Sequence, residues 1–267
     1  MTLRERNNVQ VQGSGPLTLV FAHGFGCDQS MWRFLAPRYA ESHRVVTFDL
    51  VGCGMSDLSA YEPAKYASLS GYASDVLELV DEFAQGPTVF VGHSVSAMIG
   101  LLAGLQRPEA LHAHVMIGPS PCYVNDSDYI GGFEREDIDS LLDTLESNYL
   151  GWASSMAPAI MGAPDRPELG QELARSFCRT DPEIAKRFAR ATFLSDHRRD
   201  LPRLTAPTLI LQSDEDLIAP VAVGEYMHRV MPNATLRVVR NVGHCPHLSA
   251  PGASADAIDE FLAAFAP

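Results

Sequence analysis

The sequence predicts an α/β protein: a mostly parallel sheet with helices on both faces, interrupted by an all-helical insertion. Three observations carry this. Short β-type runs alternate with helix-spaced segments through the first third of the chain. Between about Pro121 and Pro202 the strand signal disappears and only helical spacing remains. The alternation then resumes to the C-terminus. A chain of 267 residues, 46% of them hydrophobic, is enough for one large core with an insertion.

The elements follow in order. "NVQVQ" and "LTLVFAHG" read as strands, separated by the turn signal Gly13-Ser14-Gly15-Pro16. "SMWRFLAPRYA" has helix-like spacing, with Pro37 arguing against one unbroken helix. "HRVVTFDL" is the next strand. In "GYASDVLELVDEFA", Val76, Leu79, Val80 and Phe83 make one helical face. "TVFVGH" is a strand, "AMIGLLAGLQ" a helix apolar nearly all round and therefore buried, and "AHVMIGP" another strand.

In the insertion, Ile138, Leu141, Leu142 and Leu145 share one stripe, as do Leu169, Leu173 and Phe177. Asp181 followed by Pro182 is an N-cap and first helical position. The late part gives the strand "TLILQS", a helix around "VAVGEYMHRV", the strand "TLRVVRN" and the helix "ADAIDEFLAAF". The domain reading is a core of residues 1–121 and 203–267 with a helical cap at 122–202. The cap is expected over the carboxyl edge of the sheet, where open α/β sheets bind ligands. A helical subdomain packed elsewhere is the alternative.

Composition excludes several classes. The formal net charge is −13 and no Lys/Arg cluster exceeds short pairs such as Arg198-Arg199, so neither nucleic acid nor an anionic membrane is an expected partner. The opening "MTLRERNNVQVQ" lacks the apolar stretch of a signal peptide, and no run approaches a membrane span. Five cysteines, Cys27, Cys53, Cys122, Cys178 and Cys245, form no C-x-x-C pair. That pattern reads as a reduced, cytoplasmic protein with no zinc site and no other metal.

The chemistry concentrates at strand ends. "GHSVS", Gly92 to Ser96, nearly spells G-x-S-x-G, the strand–turn–helix elbow that lifts a nucleophilic serine clear of the backbone. Gly92 meets the demand for a small flank, and Ser96 is small but carries a Cβ. "FAHGFG" ends a strand with His23-Gly24-Phe25-Gly26, the loop that supplies one backbone N–H of an oxyanion hole; Val95, after the serine, supplies the other. "LILQSDEDLIAP" places Asp214, Glu215 and Asp216 after a strand, and "VVRNVGHCPHLS" places His244 and His247 after the last one. A serine near neutral pH needs a base, and the base needs an acid to fix its tautomer. The order Ser…Asp…His is that of α/β-hydrolases. Which acid and which histidine serve is open at this level.

"GFGCDQSMW", "GHSVSAMIG", "GPSPCYVND", "FLSDHRRDLP" and "VGHCPHLS" resemble, in order, the RsbQ-like α/β-hydrolases. That family holds the bacterial sigma-B stress regulator and its plant relatives, the karrikin and strigolactone receptors. The likeness runs from about Asn8 to the C-terminus, and Ser96 is the plant-receptor form of the elbow. The resemblance implies an α/β-hydrolase fold with a four-helix cap, Ser94 as nucleophile, Asp216 as acid and His244 as base. It implies an oxyanion hole from the Phe25 and Val95 amides, and an apolar pocket lined by Phe25, Phe133, Trp152, Phe193, Ile218 and Cys245.

It implies further a serine hydrolase of small apolar esters or lactones, without cofactor, acting as a small-molecule sensor in stress signalling. The partner in the bacterial case is a phosphatase carrying a PAS sensor domain; in plants it is an F-box protein and a repressor. The alternatives are a purely metabolic esterase or lactonase and a cofactor-free haloperoxidase-type hydrolase. A haloalkane dehalogenase would carry Asp at position 94. A carbon–carbon bond hydrolase calls for polar groups in the pocket, for which "DHRRD" is the one candidate.

Overall fold

The computed structural model describes residues 1–265. A one-turn helix, α1 (Leu3–Arg6), leads into β1 (Gln10–Gln12), β2 (Thr18–Ala22), a 3-10 turn (Gln29–Trp32), α2 (Ala36–Tyr39) and β3 (Arg44–Phe48). Then come α3 (Leu69–Phe83), β4 (Thr88–His93), α4 (Val95–Gln106) and β5 (Ala113–Ile117). Three helices follow without a strand between them: α5 (Arg135–Met161), α6 (Pro167–Arg179) and α7 (Pro182–Phe193). The chain closes with β6 (Thr208–Glu215), α8 (Val221–Val230), β7 (Ala234–Val242), α9 (Pro246–Ser249) and α10 (Pro251–Leu262).

The seven strands form one sheet in the order β1-β3-β2-β4-β5-β6-β7. Only β1 runs antiparallel, against β3; every other pairing is parallel. This is the α/β-hydrolase fold. The central strands β2, β4 and β5 are buried at every residue, as continuous apolar runs covered on both faces must be. Helix α4 is apolar nearly all round and buried along most of its length. Helix α3 buries Val76, Leu79, Val80 and Phe83, the face its spacing predicts. Register sets Ala22, Gly92 and Met116 side by side, so the loops after β2, β4 and β5 open at one edge.

"SMWRFLAPRYA" makes no single helix, as Pro37 argues: it forms the 3-10 turn and the four-residue α2, with Pro37 in the first turn of α2. A proline is accepted there because its missing N–H would be unpaired anyway.

Helix α5 breaks at Asn148 (φ −151°, ψ 71°), whose side-chain oxygen accepts the Gly151 N–H at 3.0 Å and restarts the helix. The segment between β5 and β6 therefore carries four α-helical stretches among the described residues, followed by a 3-10 turn (Leu201–Arg203). Gly162 ends α5 in the left-handed region (φ +61°), a conformation glycine adopts at little cost. Asp181 caps α7 through the Glu183 and Ile184 N–H groups at 2.9 and 3.2 Å, worth about 1 kcal/mol. These helices pin to the core at a few points: the His244 N–H on the Ile160 carbonyl (2.8 Å), Arg33 on Glu172 (2.7 Å), and Arg166 on the Ser249 carbonyl. No described helix is long and apolar enough to cross a membrane.

Candidate active site

Ser94 sits between β4 and α4 with φ +55° and ψ −122°. For a residue with a Cβ this conformation costs about 1–3 kcal/mol and persists only where the surroundings dictate it. They do so here. The Ser94 N–H donates to the Ile117 carbonyl at 2.8 Å. A Cβ on Gly92 would lie 2.6 Å from the Ser96 carbonyl oxygen, so only glycine fits the strand where the helix doubles back. Ser96 is more than a tolerated small residue: its hydroxyl donates to the His23 carbonyl and ties the elbow to the loop after β2.

His244, in the loop after β7, reaches Ser94 Oγ with Nε2 at 2.8 Å and Asp216 Oδ2 with Nδ1 at 2.7 Å. A carboxylate only accepts, so Nδ1 carries the proton and Nε2 presents a lone pair to the serine hydroxyl. The other Asp216 oxygen accepts the Ile218 and Ala219 N–H groups at 2.8 and 3.1 Å, which locks the carboxylate plane. Ser94, Asp216 and His244 are all buried.

The remaining candidates lie apart. Asp214 is exposed and accepts the Asn241 N–H, and Glu215 is exposed at the end of β6. His247 is fully buried against Trp32, ring centroids 4.8 Å apart, and burial pushes its pKa down to about 3. It stays neutral and does not reach Ser94.

Two N–H groups are free near the serine. Val95 is the first residue of α4, so its N–H has no acceptor within the helix. The Phe25 N–H has no partner among the described residues. The loop that holds Phe25 is anchored by His23, whose Nε2 accepts the Leu50 N–H (3.0 Å) and whose Nδ1–H donates to the Gly24 carbonyl (2.9 Å).

Above the serine lies a cavity of about 130 Å³. Phe25, Phe133, Trp152, Phe193, Ile218 and Cys245, the residues named from the sequence, all line it. Met156 lines it as well, and so do Tyr123, Leu141, Phe177, Thr192 and Leu217, which were not foreseen. The Phe25 ring meets Trp152, Phe177 and Phe193 at 5.9–6.2 Å in edge-on geometry. Leu217 is exposed as well as lining, so it marks the mouth. Burial pushes the Tyr123 phenol up to about 12, against a smaller lowering by Ser94, so it remains a donor beside Ser94.

Lysine, arginine, aspartate and glutamate are absent from the lining among the described residues. "DHRRD" does not face the cavity: Arg198 pairs with Asp196 and Asp126 over the Tyr129 ring, and Arg199 is exposed.

One buried group has metal-like composition: His93, Cys245 and His247 offer ligand atoms within 4.8 Å of one another. His93 Nε2–H, however, is committed to the His244 carbonyl at 2.9 Å, and burial drives the Cys245 thiol well away from the thiolate that a metal needs. All five cysteines are free thiols.

The model of the alpha/beta hydrolase family matches residues 19–257. The chain belongs to that family. Among its relatives, a karrikin insensitive 2 receptor of Petunia hybrida is 41% identical over 93% of each chain. A strigolactone esterase of Arabidopsis thaliana is 38% identical over 92% of each. The solved structure of a hydrolase from Oleispira antarctica superposes with a TM-score of 0.94 at 42% identity, covering 98% of this chain and 96% of that one.

Proposed function

We propose that the protein is a serine hydrolase of small, uncharged, apolar esters or lactones. The observation that carries this reading is the hydrogen-bonded line from Ser94 Oγ through His244 to Asp216, at 2.8 and 2.7 Å, at the floor of an apolar cavity. Ser94 Oγ attacks the carbonyl carbon as His244 Nε2 takes its proton. Asp216 holds the ring and stabilises the imidazolium. The Phe25 and Val95 N–H groups receive the oxyanion. His244 then protonates the leaving oxygen, and water, activated by the same nitrogen, releases the acyl group. A cavity of about 130 Å³ suits a group of roughly benzene size. The uncharged lining disfavours carboxylate-bearing substrates, since burying an unpaired charge is costly.

The same site serves as a small-molecule sensor in stress signalling, as in RsbQ-like proteins, acting in the cytoplasm through a phosphatase that carries a PAS domain. The order of the motifs and the 41% identity to a receptor relative support this half. A time course with a 4-nitrophenyl ester, read by released nitrophenol and intact-protein mass, separates the uses. A single burst with a lasting adduct on Ser94 is the sensor outcome. Sustained turnover that vanishes in Ser94→Ala marks a metabolic esterase or lactonase. Identical release by both proteins would overturn the hydrolase reading. For the partner, a pull-down from the source organism, with and without ligand, recovers the phosphatase on this account; recovery of no partner contradicts it.

A further inference from the structure

We propose that Ser176, on cap helix α6, is a positioning residue for the oxyanion hole. It grips the carbonyl of Gly26 and so sets the turn that presents the Phe25 N–H. The inference rests on the hydrolase reading above.

The loop after β2 is held from two sides. Its first half belongs to the core: His23 is tied to Leu50, to Gly24 and, through its carbonyl, to Ser96. The Cys27 N–H then bonds the Gly24 carbonyl at 3.2 Å and closes a β-turn. Gly26 is its third residue, at φ +67°, which leaves the Phe25 N–H outside the turn. The second half is held from the cap. Ser176 Oγ–H donates to the Gly26 carbonyl at 3.0 Å, the one partner of that carbonyl among the described residues. The Phe177 ring presses on Gly26, where a Cβ would lie 2.4 Å from the ring.

A serine hydroxyl has one proton, and this one has two acceptors in reach. The second is Asp28 Oδ2, at 3.4 Å. Arg179 occupies that same oxygen. Burial pushes the Asp28 carboxyl up, but hydrogen bonds from Ser30 and the charge of Arg179 outweigh it, so it stays ionised and engaged. With Oδ2 taken, the Ser176 proton goes to Gly26. Three residues at the end of one cap helix, Ser176, Phe177 and Arg179, thus hold the turn that carries half of the oxyanion hole. Cap position and transition-state stabilisation are linked through a single hydroxyl.

The test compares wild type, Ser176→Ala, Ser176→Thr and Arg179→Gln on a small ester. It also measures the affinity of a trifluoromethyl ketone, whose tetrahedral adduct places an oxyanion in the hole. An oxyanion donor acts mainly in the transition state. Ser176→Ala therefore lowers kcat by about 10-fold, leaves KM within about 2-fold, and weakens the ketone by the same factor as kcat. Ser176→Thr, which keeps the hydroxyl at this half-buried position, restores both. Arg179→Gln gives a smaller loss of the same kind. Wild-type kcat and ketone affinity in Ser176→Ala would overturn the proposal, as would a loss that follows the thermal midpoint and appears in KM alone. Wild type without Ser94-dependent turnover would overturn the hydrolase reading and this proposal together.

Discussion

The sheet core and the helical cap divide the labour of the site unequally. Every group that the proposed mechanism uses for chemistry comes from the core: Ser94 after β4, Asp216 after β6, His244 after β7, and the N–H groups of Phe25 and Val95. The first three residues are fixed by short hydrogen bonds: Ser94 to the Ile117 carbonyl and His244, and Asp216 to His244 and the Ile218 and Ala219 N–H groups. Trp152, Met156, Phe177, Thr192 and Phe193 come from the cap and are nearly all apolar. The cap meets the core through a few pinned contacts, with Arg33–Glu172 and Arg179–Asp28 among them. Reactivity needs sub-ångström placement, which dense hydrogen bonding on rigid elements supplies. Ligand choice needs only shape and the exclusion of water. The two regions are thus open to change at different cost.

Breaking the core side gives the largest effects. Ser94→Ala lowers ester turnover by about 10⁴-fold or more, with little change in thermal midpoint, because the removed oxygen supports no packing. Asp216→Asn keeps the geometry but favours the wrong His244 tautomer, and turnover falls by about 10³–10⁴-fold. Steady-state kinetics with a chromogenic ester checks both; an Asp216→Asn loss under 10-fold would remove the acid from the account.

Acid separates the regions in another way. Helices α5, α6 and α7 contain no histidine, whereas His114 and His247 are buried neutral in the core. Burial lowers His114 from 6.5 to about 4 and His247, with help from neighbouring positive charge, to about 3. An unfolded chain protonates these rings near pH 6.5, so stability is complete above that value and falls as pH drops towards the folded pKa. At pH 5 each ring removes about 2 kcal/mol. Urea midpoints at pH 7 and pH 5 test this: His114→Leu should lose less on acidification than wild type, and an equal loss would contradict it.

The smallest effect lies in the cap. Phe193→Leu enlarges the cavity without touching the reacting atoms. It should raise kcat/KM for a longer acyl chain relative to acetate by about 10-fold. An unchanged ratio would mean that the ring does not bound the acyl site.

Legibility in the sequence followed the same division. Strand ends announce themselves, so the loops holding Ser94, Phe25, Asp216 and His244 could be located from the alternation of elements alone. Local spacing also gave Asp181 as the cap of α7. The choice of His244 over His247 was not local: three residues apart, one ring faces Ser94 and the other packs under Trp32, and only the turn into α9 decides which. In "SMWRFLAPRYA" Pro37 ruled out one long helix, but not where the two short turns fall: Met31, Trp32 and Leu35 are buried by tertiary packing around them. Ser176 and Tyr123 carried no signal, since each matters only through a partner distant in the chain. The break at Asn148 was likewise hidden, because the stripe on either side continues the helical period.

The most direct test of the central claim is intact-protein mass spectrometry after exposure to a fluorophosphonate, with peptide mapping of the adduct. The account predicts one adduct, on Ser94, absent in Ser94→Ala and formed far more slowly in His244→Ala. Labelling of another residue, or equal labelling in Ser94→Ala, would contradict it.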